Sequence, residues 1–190
     1  NVEETRRILE PAKNLGLGIR IHADEFKPIG GVQLAANLGA FSVDHLIASR
    51  DDSIEAMIAG NVVPIVLPAT TFFLGKDKYA PARKMWDKGL PVALATDFNP
   101  GSSMTMSMQF VITTACLKLG LMPMEALQAA TYNAALSLRI TDKVGSLEKG
   151  KQADFLIWDF DNYQGIPYHL AALPVHEVYK KGKKVWEFNR

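Results

Sequence analysis

Three short polar groups interrupt otherwise apolar stretches of this sequence: His22 with Asp24 and Glu25, Asp44 with His45, and Asp97 alone. Imidazole and carboxylate side chains together are the usual protein ligands of zinc or ferrous iron, and a hydrolytic centre keeps an open position for water. Each residue also has a plainer reading. A histidine at the end of a strand is often a hydrogen-bonded core or loop residue, since unusual titratable groups mark sites only probabilistically. An aspartate ahead of Asn99-Pro100-Gly101 can cap that turn, and Glu25 can be a solvated loop carboxylate. The run from Thr96 to Ser103 offers small residues and donors suited to close approach of a polar ligand, or simply a strand-to-helix connection with a serine cap. What favours chemistry is that His22, His45 and Asp97 all fall at the C-terminal ends of expected strands.

Those strands follow from the hydrophobic pattern. Apolar residues at helical spacing predict a helix over 2–15, followed by a short buried strand over 17–23. The unit repeats, with helices over 32–38, 53–59 and 79–88 and strands over 41–46, 62–67 and 91–96. Strands this uniformly apolar are covered on both faces, the habit of parallel sheets packed by helices. A doubly wound sheet and a (β/α)8 barrel both satisfy the pattern. Polar residues recurring at the C-terminal strand ends favour the barrel, and no GxGxxG stands at a strand-to-helix turn to favour a dinucleotide-binding sheet. Four strands would then be half of a TIM barrel.

Beyond Asp97 two helices are expected, over 104–119 and 124–138, with the break at Gly120 to Pro123. After residue 141 the composition shifts to turns around Gly145 and Gly150, a strand over 153–158 and a hairpin over 175–187 around Lys181-Gly182. The expected division is a half barrel over 1–140 and part of a small β-sandwich over 141–190. His169 and His176 lie in that second part and read as structural. Met104, Met106 and Met108 read as core or pocket-wall packing.

Composition narrows the classes of function. The chain of 190 residues has 48% hydrophobic and 22% charged residues, an ordinary globular balance. A net charge of +1 supplies no electrostatic reason to expect nucleic acid or an acidic membrane surface. The single cysteine, Cys116, excludes an internal disulfide and reads as a buried thiol, which fits a reducing cytoplasm. No apolar run approaches the roughly 20 residues needed to span a bilayer. The chain opens at Asn1 directly into a helix, which suggests a piece of something longer.

At these residues the sequence resembles the amidohydrolase superfamily and, within it, the imidazolonepropionase family. The resemblance rests on His22-Ala23-Asp24-Glu25, Val43-Asp44-His45-Leu46 and Ala95-Thr96-Asp97-Phe98-Asn99-Pro100-Gly101, and it covers essentially the whole chain. Thr131-Tyr132-Asn133-Ala134-Ala135 and the stretch from Gly145 to Asp154 are shared across the wider superfamily. The family hydrolyses 4-imidazolone-5-propanoate to N-formimidoyl-L-glutamate in histidine degradation. The resemblance implies one divalent metal ion, zinc or iron, held by His22 from the fifth barrel strand and Asp97 from the eighth. Asp97 would also carry a proton to and from the attacking water. His45 would polarise the lactam carbonyl, and Glu25 would bond the substrate ring or position the water. Asn99, Gly101 and Ser102 would line the pocket, with Ser102 where the family more often has threonine. A homodimer is implied for the full-length enzyme. The family's His-x-His pair on the first strand and its upstream substrate-binding residues have no counterpart in this chain. Two other readings stay open: a ring aminohydrolase that releases ammonia, and a structural fragment with no activity.

Overall fold

The computed structural model describes residues 1–170 and 174–188. Helix α1 (Val2–Asn14) is opened by a reciprocal cap, in which the Asn1 side chain accepts from Glu4 N and the Glu4 side chain reaches back to the chain start. The βα units follow as β1 (Arg20–Ala23), α2 (Gly31–Leu38), β2 (Ser42–His45), α3 (Asp51–Gly60) and β3 (Val63–Val66). Then come α4 (Pro68–Phe73), α5 (Ala82–Asp87) and β4 (Ala93–Leu94). The four strands form one parallel sheet in the order β1-β2-β3-β4, with His22 opposite Asp44 and Ala23 opposite His45. Among the described residues this arc is open at both ends, since β1 and β4 each pair on one side only.

Helices cover one face of the arc. Val32, Leu34 and Ala35 of α2, Ile54 and Met57 of α3 and Met85 of α5 are buried against Val43, Val66 and Leu94 of the strands. The α2–α3 contact requires glycine at position 60, because a Cβ there would lie 2.8 Å from that of Ala36. Among the described residues, part of the apolar surface near α1 is uncovered: Ile8 of α1 is 70% and Leu15 just after it 80% exposed, and Phe26 and Ile29 beyond β1 are exposed as well.

Helices α6 (Met108–Lys118), α7 (Pro123–Ala130) and α8 (Tyr132–Ser137) complete the layer. Helix α8 lies at the N-terminal ends of the strands, where Asn133 Nδ2 donates to Val92 O at 2.9 Å and the Arg20 guanidinium donates to Ser137 O at 2.9 Å. A second, antiparallel sheet follows: β5 (Phe155–Trp158), β6 (Val175–Lys180) and β7 (Lys183–Glu187) in that order. Lys181 and Gly182, both at positive φ, make the two-residue turn between β6 and β7. The short helix α9 (Gly165–Tyr168) ties this region to α6, with Gln109 Nε2 donating to Ile166 O at 3.1 Å and Thr113 Oγ1 to Pro167 O at 3.0 Å.

Several local expectations are corrected. Residues 68–73, between the expected strand over 62–67 and the helix expected from 79, form α4, where Pro68 supplies the fixed φ that suits a first helical position. The helix expected from residue 79 starts only at Ala82, after Pro81. The helix expected from residue 104 starts at Met108, capped by the Ser107 side chain accepting from Phe110 N at 3.1 Å. Met104 and Met106 precede it and are 62% and 77% exposed, so neither packs in a core. The expected helix over 124–138 is broken at Thr131, whose φ of −122° and ψ of −83° leave the helical region. No strand lies between the turns at Gly145 and Gly150, and the strand expected over 153–158 is β5, which begins at Phe155. The Cys116 thiol is half-buried rather than buried, and burial holds it above the usual thiol value.

Candidate active site

The polar residues at the strand ends are placed by unusual backbone. Asp24 follows β1 at φ 52°, His45 ends β2 at φ 76°, Leu46 has φ 64°, and Asp97 lies beyond β4 at φ 52°. Left-handed backbone costs an L-residue about 1–2 kcal/mol, least for aspartate, whose short side chain bonds locally. Such strain persists where the surroundings over-determine it, and it concentrates at functional sites. Here the surroundings are explicit. Leu46 N donates to Ala23 O at 3.2 Å and Ala48 N to Asp24 O at 2.6 Å. The buried Asp24 carboxylate accepts from Ser49 Oγ at 3.0 Å and Ser53 Oγ at 2.7 Å. Asp24 therefore staples the β2–α3 loop to the end of β1 and holds His45 in its turn.

Around His45 the expected residues converge. The His22 and His45 rings are 4.9 Å apart, centre to centre. Glu25 Oε1 lies 3.9 Å from His45 Nδ1, and Asp44 Oδ2 lies 3.7 Å from His22 Nδ1. Asp97 also acts electrostatically on His45. Burial holds the His45 imidazole below its ordinary 6.5, against the opposing pull of the Glu25 and Asp97 carboxylates. Burial likewise raises Asp44, partly offset by the two imidazoles. His45 Nδ1 is buried without a hydrogen-bond partner, as is Asp24 Oδ1.

The depressed His45 has a consequence for stability. Below pH 6.5 the unfolded chain protonates this histidine while the folded protein keeps it neutral. Folding is then increasingly opposed as pH falls from 6.5 toward the folded value. Raised Asp44 acts with the opposite sign, in its own window between 3.8 and its folded value. His45→Gln in metal-free protein is expected to flatten the decline in urea midpoint on going from neutral pH to just below 6.5. Identical slopes for the variant and the parent would count against a buried neutral imidazole.

The loop after β4 is organised by its own hydrogen bonds. Asn99 Nδ2 donates to Asp97 O at 2.7 Å and to Ser102 Oγ at 3.0 Å. Asn99 Oδ1 accepts from Gly101 N at 2.9 Å and Ser102 N at 2.8 Å. Buried Ser103 donates to Thr96 O at 2.6 Å. Asn99, Gly101 and Ser102 are thus brought together, bonded to one another. Asp97 itself accepts from Thr70 Oγ1 at 2.6 Å through Oδ2.

The donor set fits half of a metal centre. His22 is exposed, with a side-chain accessibility of 66%, and Asp97 has one oxygen free of the Thr70 bond. An imidazole and a carboxylate suit zinc or ferrous iron, but catalytic zinc has three protein ligands. Among the described residues, the three-residue group close enough to share an ion lies elsewhere. The ligand atoms of His176, Glu177 and Glu187 on the second sheet fall within 4.8 Å of one another. Lys184 Nζ already pairs with both carboxylates of that group, at 3.2 Å from Glu177 Oε1 and 2.6 Å from Glu187 Oε2. A cleft of about 350 Å³ adjoins the strand-end residues and is lined by His22, Asp24 and Glu25 with Val2, Thr5 and Phe26. A larger one of about 730 Å³, between α6, α7 and the second sheet, is mainly apolar and contains none of them.

Sequence reasoning overlooked Thr70, Ser49 and Ser53. Serines four apart, Ser49 in the loop before α3 and Ser53 in its first turn, were a usable signal for a buried acceptor. Thr70 had none, because the helix that carries it was not expected.

Imidazolonepropionase of Alkaliphilus oremlandii is 48% identical over 187 residues, covering 98% of this chain and 44% of that protein. Imidazolonepropionase of Treponema denticola is 45% identical over 190 residues, covering 100% and 46%. The chain thus spans about half the length of these curated relatives. Among solved structures, 5-methylcytosine deaminase from Klebsiella pneumoniae liganded with 5-fluorocytosine superposes with a TM-score of 0.82 at 16% identity, over 100% of this chain and 52% of that one. An adenosine deaminase from Xanthomonas campestris with bound zinc gives 0.75 at 20% identity, over 97% and 48%. These likenesses establish the fold alone, the α/β arrangement of the TIM-barrel class. The model of the amidohydrolase family matches residues 1–185, and the chain belongs to that family.

Proposed function

We propose that this chain supplies the C-terminal half of the active site of an imidazolonepropionase, which opens the cyclic amide of 4-imidazolone-5-propanoate to N-formimidoyl-L-glutamate in histidine degradation. The observation that carries the proposal is the gathering of His22, Glu25 and Asp97 around buried His45 at the C-terminal ends of parallel strands. The named relatives, 45% and 48% identical along almost the whole chain, supply the substrate. The division near residue 141, the cytoplasmic location and a homodimer of the complete enzyme belong to the same proposal.

His22 and Asp97 would hold one divalent ion, zinc or iron, together with ligands from the missing half. Such an ion lowers the pKa of a bound water toward about 7 and polarises a carbonyl. The chain's own residues do the rest. Asp44 Oδ2 stands 3.7 Å from His22 Nδ1, where it would steady the ring that holds the ion. Neutral His45 presents a ring nitrogen other than its buried Nδ1, suited to donate to the lactam oxygen. Asp97, with Oδ2 held by Thr70, has Oδ1 to take a proton and return it to the departing nitrogen. Glu25 meets the substrate ring or orients His45. The loop of Asn99, Gly101 and Ser102 forms one wall, with Asn99 holding that wall in shape.

The test is loss of the substrate's ultraviolet absorbance, measured with this chain and with a form joined to an upstream half bearing a His-x-His strand. Turnover in the joined form alone, without ammonia release, is the expected result. Ammonia release from a purine, pyrimidine or triazine would instead establish a ring aminohydrolase. A joined form that binds metal and turns over none of these would leave the chain as a structural fragment.

A further inference from the structure

The carboxylate of Asp97 hangs from left-handed backbone in a loop, and a single side chain orients it. Thr70 Oγ1 donates to Asp97 Oδ2 at 2.6 Å. Thr70 is fully buried, third in the helix α4 that begins at Pro68. That helix is fixed from the far side by the edge-on contact of Phe72 with Phe110 of α6, ring centres 5.1 Å apart. A hydroxyl has one proton to give. Spent on Oδ2, it selects which carboxylate oxygen faces inward and which faces the mouth, and it does so from a rigid element rather than from the loop. We propose that Thr70 is a positioning residue for the reaction: its hydroxyl holds Asp97 so that Oδ1 is presented to the metal and the water. The inference rests on the role given to Asp97 above.

The donor could not be found from sequence, because Thr70 is 27 residues from Asp97. The hydroxyl, rather than the bulk of the side chain, is what the proposal requires, and Thr70→Val separates the two at nearly constant volume. In the joined form, Thr70→Val is expected to lower kcat by about 10- to 100-fold and to weaken zinc binding by a similar factor, as loss of a partner to a metal-binding carboxylate does. KM stays near its parent value, because the lost interaction orients a proton carrier and does not bind substrate. Thr70→Ser restores both quantities. Zinc affinity is read by competition with a chromophoric chelator, independently of turnover.

Unchanged kcat and zinc affinity in Thr70→Val would overturn the proposal, as would equal losses in Thr70→Val and Thr70→Ser. Should Thr70→Val fail to fold, Thr70→Ala compared with Thr70→Ser poses the same question. Asp97→Asn, measured alongside, keeps the two layers apart. If it retains turnover, the role assigned to Asp97 falls. If it is inactive while Thr70→Val is fully active and binds zinc normally, only the Thr70 assignment falls.

Discussion

Asp97→Asn in the joined form is expected to lower kcat by about 10²- to 10⁴-fold, the range over which a positioned general acid–base acts. Asparagine keeps the shape of the side chain and can still accept from Thr70, so the fold and the β4 loop should survive. What it loses is the negative charge and the capacity to take a proton. Zinc content should fall as well, since an amide oxygen is a poorer ligand than a carboxylate. The check is single-turnover loss of substrate absorbance together with metal content of the purified variant. Activity within threefold or so of the parent would be far outside what removal of a proton carrier allows, and the mechanism would need another base. Glu25, half-buried and 3.9 Å from His45, would be the first candidate.

Leu46→Ala is expected to destabilise the protein by about 2–5 kcal/mol, the usual cost of truncating a fully buried leucine. Leu46 is 0% exposed and stands at φ 64° immediately after His45 at φ 76°. Its side chain thus does two things. It fills the core, and its burial holds two successive left-handed residues at the site. Alanine keeps the backbone strain while forfeiting the contacts that offset it. The midpoint of urea unfolding should drop without a change in slope. At a temperature where the variant remains folded, kcat in the joined form should fall too, because His45 loses its fixed orientation. A loss of less than about 1 kcal/mol would mean that the site relaxes around the missing methyls. The hydrogen bonds from Ser49 and Ser53 to Asp24 would then be the main restraint on the loop.

The alternation of apolar strands and amphipathic helices, and the placing of His22, His45 and Asp97 at strand ends, were legible in the sequence. Both depend on local periodicity, which is written into neighbouring residues. The hairpin at Lys181-Gly182 was legible for the same reason. Boundaries were less so. Thr131 ends a helix that its neighbours' propensities would continue, and nothing in the run from Met104 to Ser107 forbids the helix that begins only at Met108.

By itself, then, the sequence determined the order of elements and the chemical types available at their ends. Tertiary structure decided which groups meet: that Thr70 donates to Asp97 and Ser53 to Asp24, that Asn99 bonds within its own loop, and that burial keeps His45 neutral. These pairings join residues through the turns and packing of several elements, and a hydrogen bond or a desolvation depends on position in space to within an ångström or so. Apolar surface on α1 and beyond β1 was likewise visible only once the sheet was seen to stop at β1 with its outer edge open. Periodicity marks a residue as apolar, but only the assembled layers show what covers it.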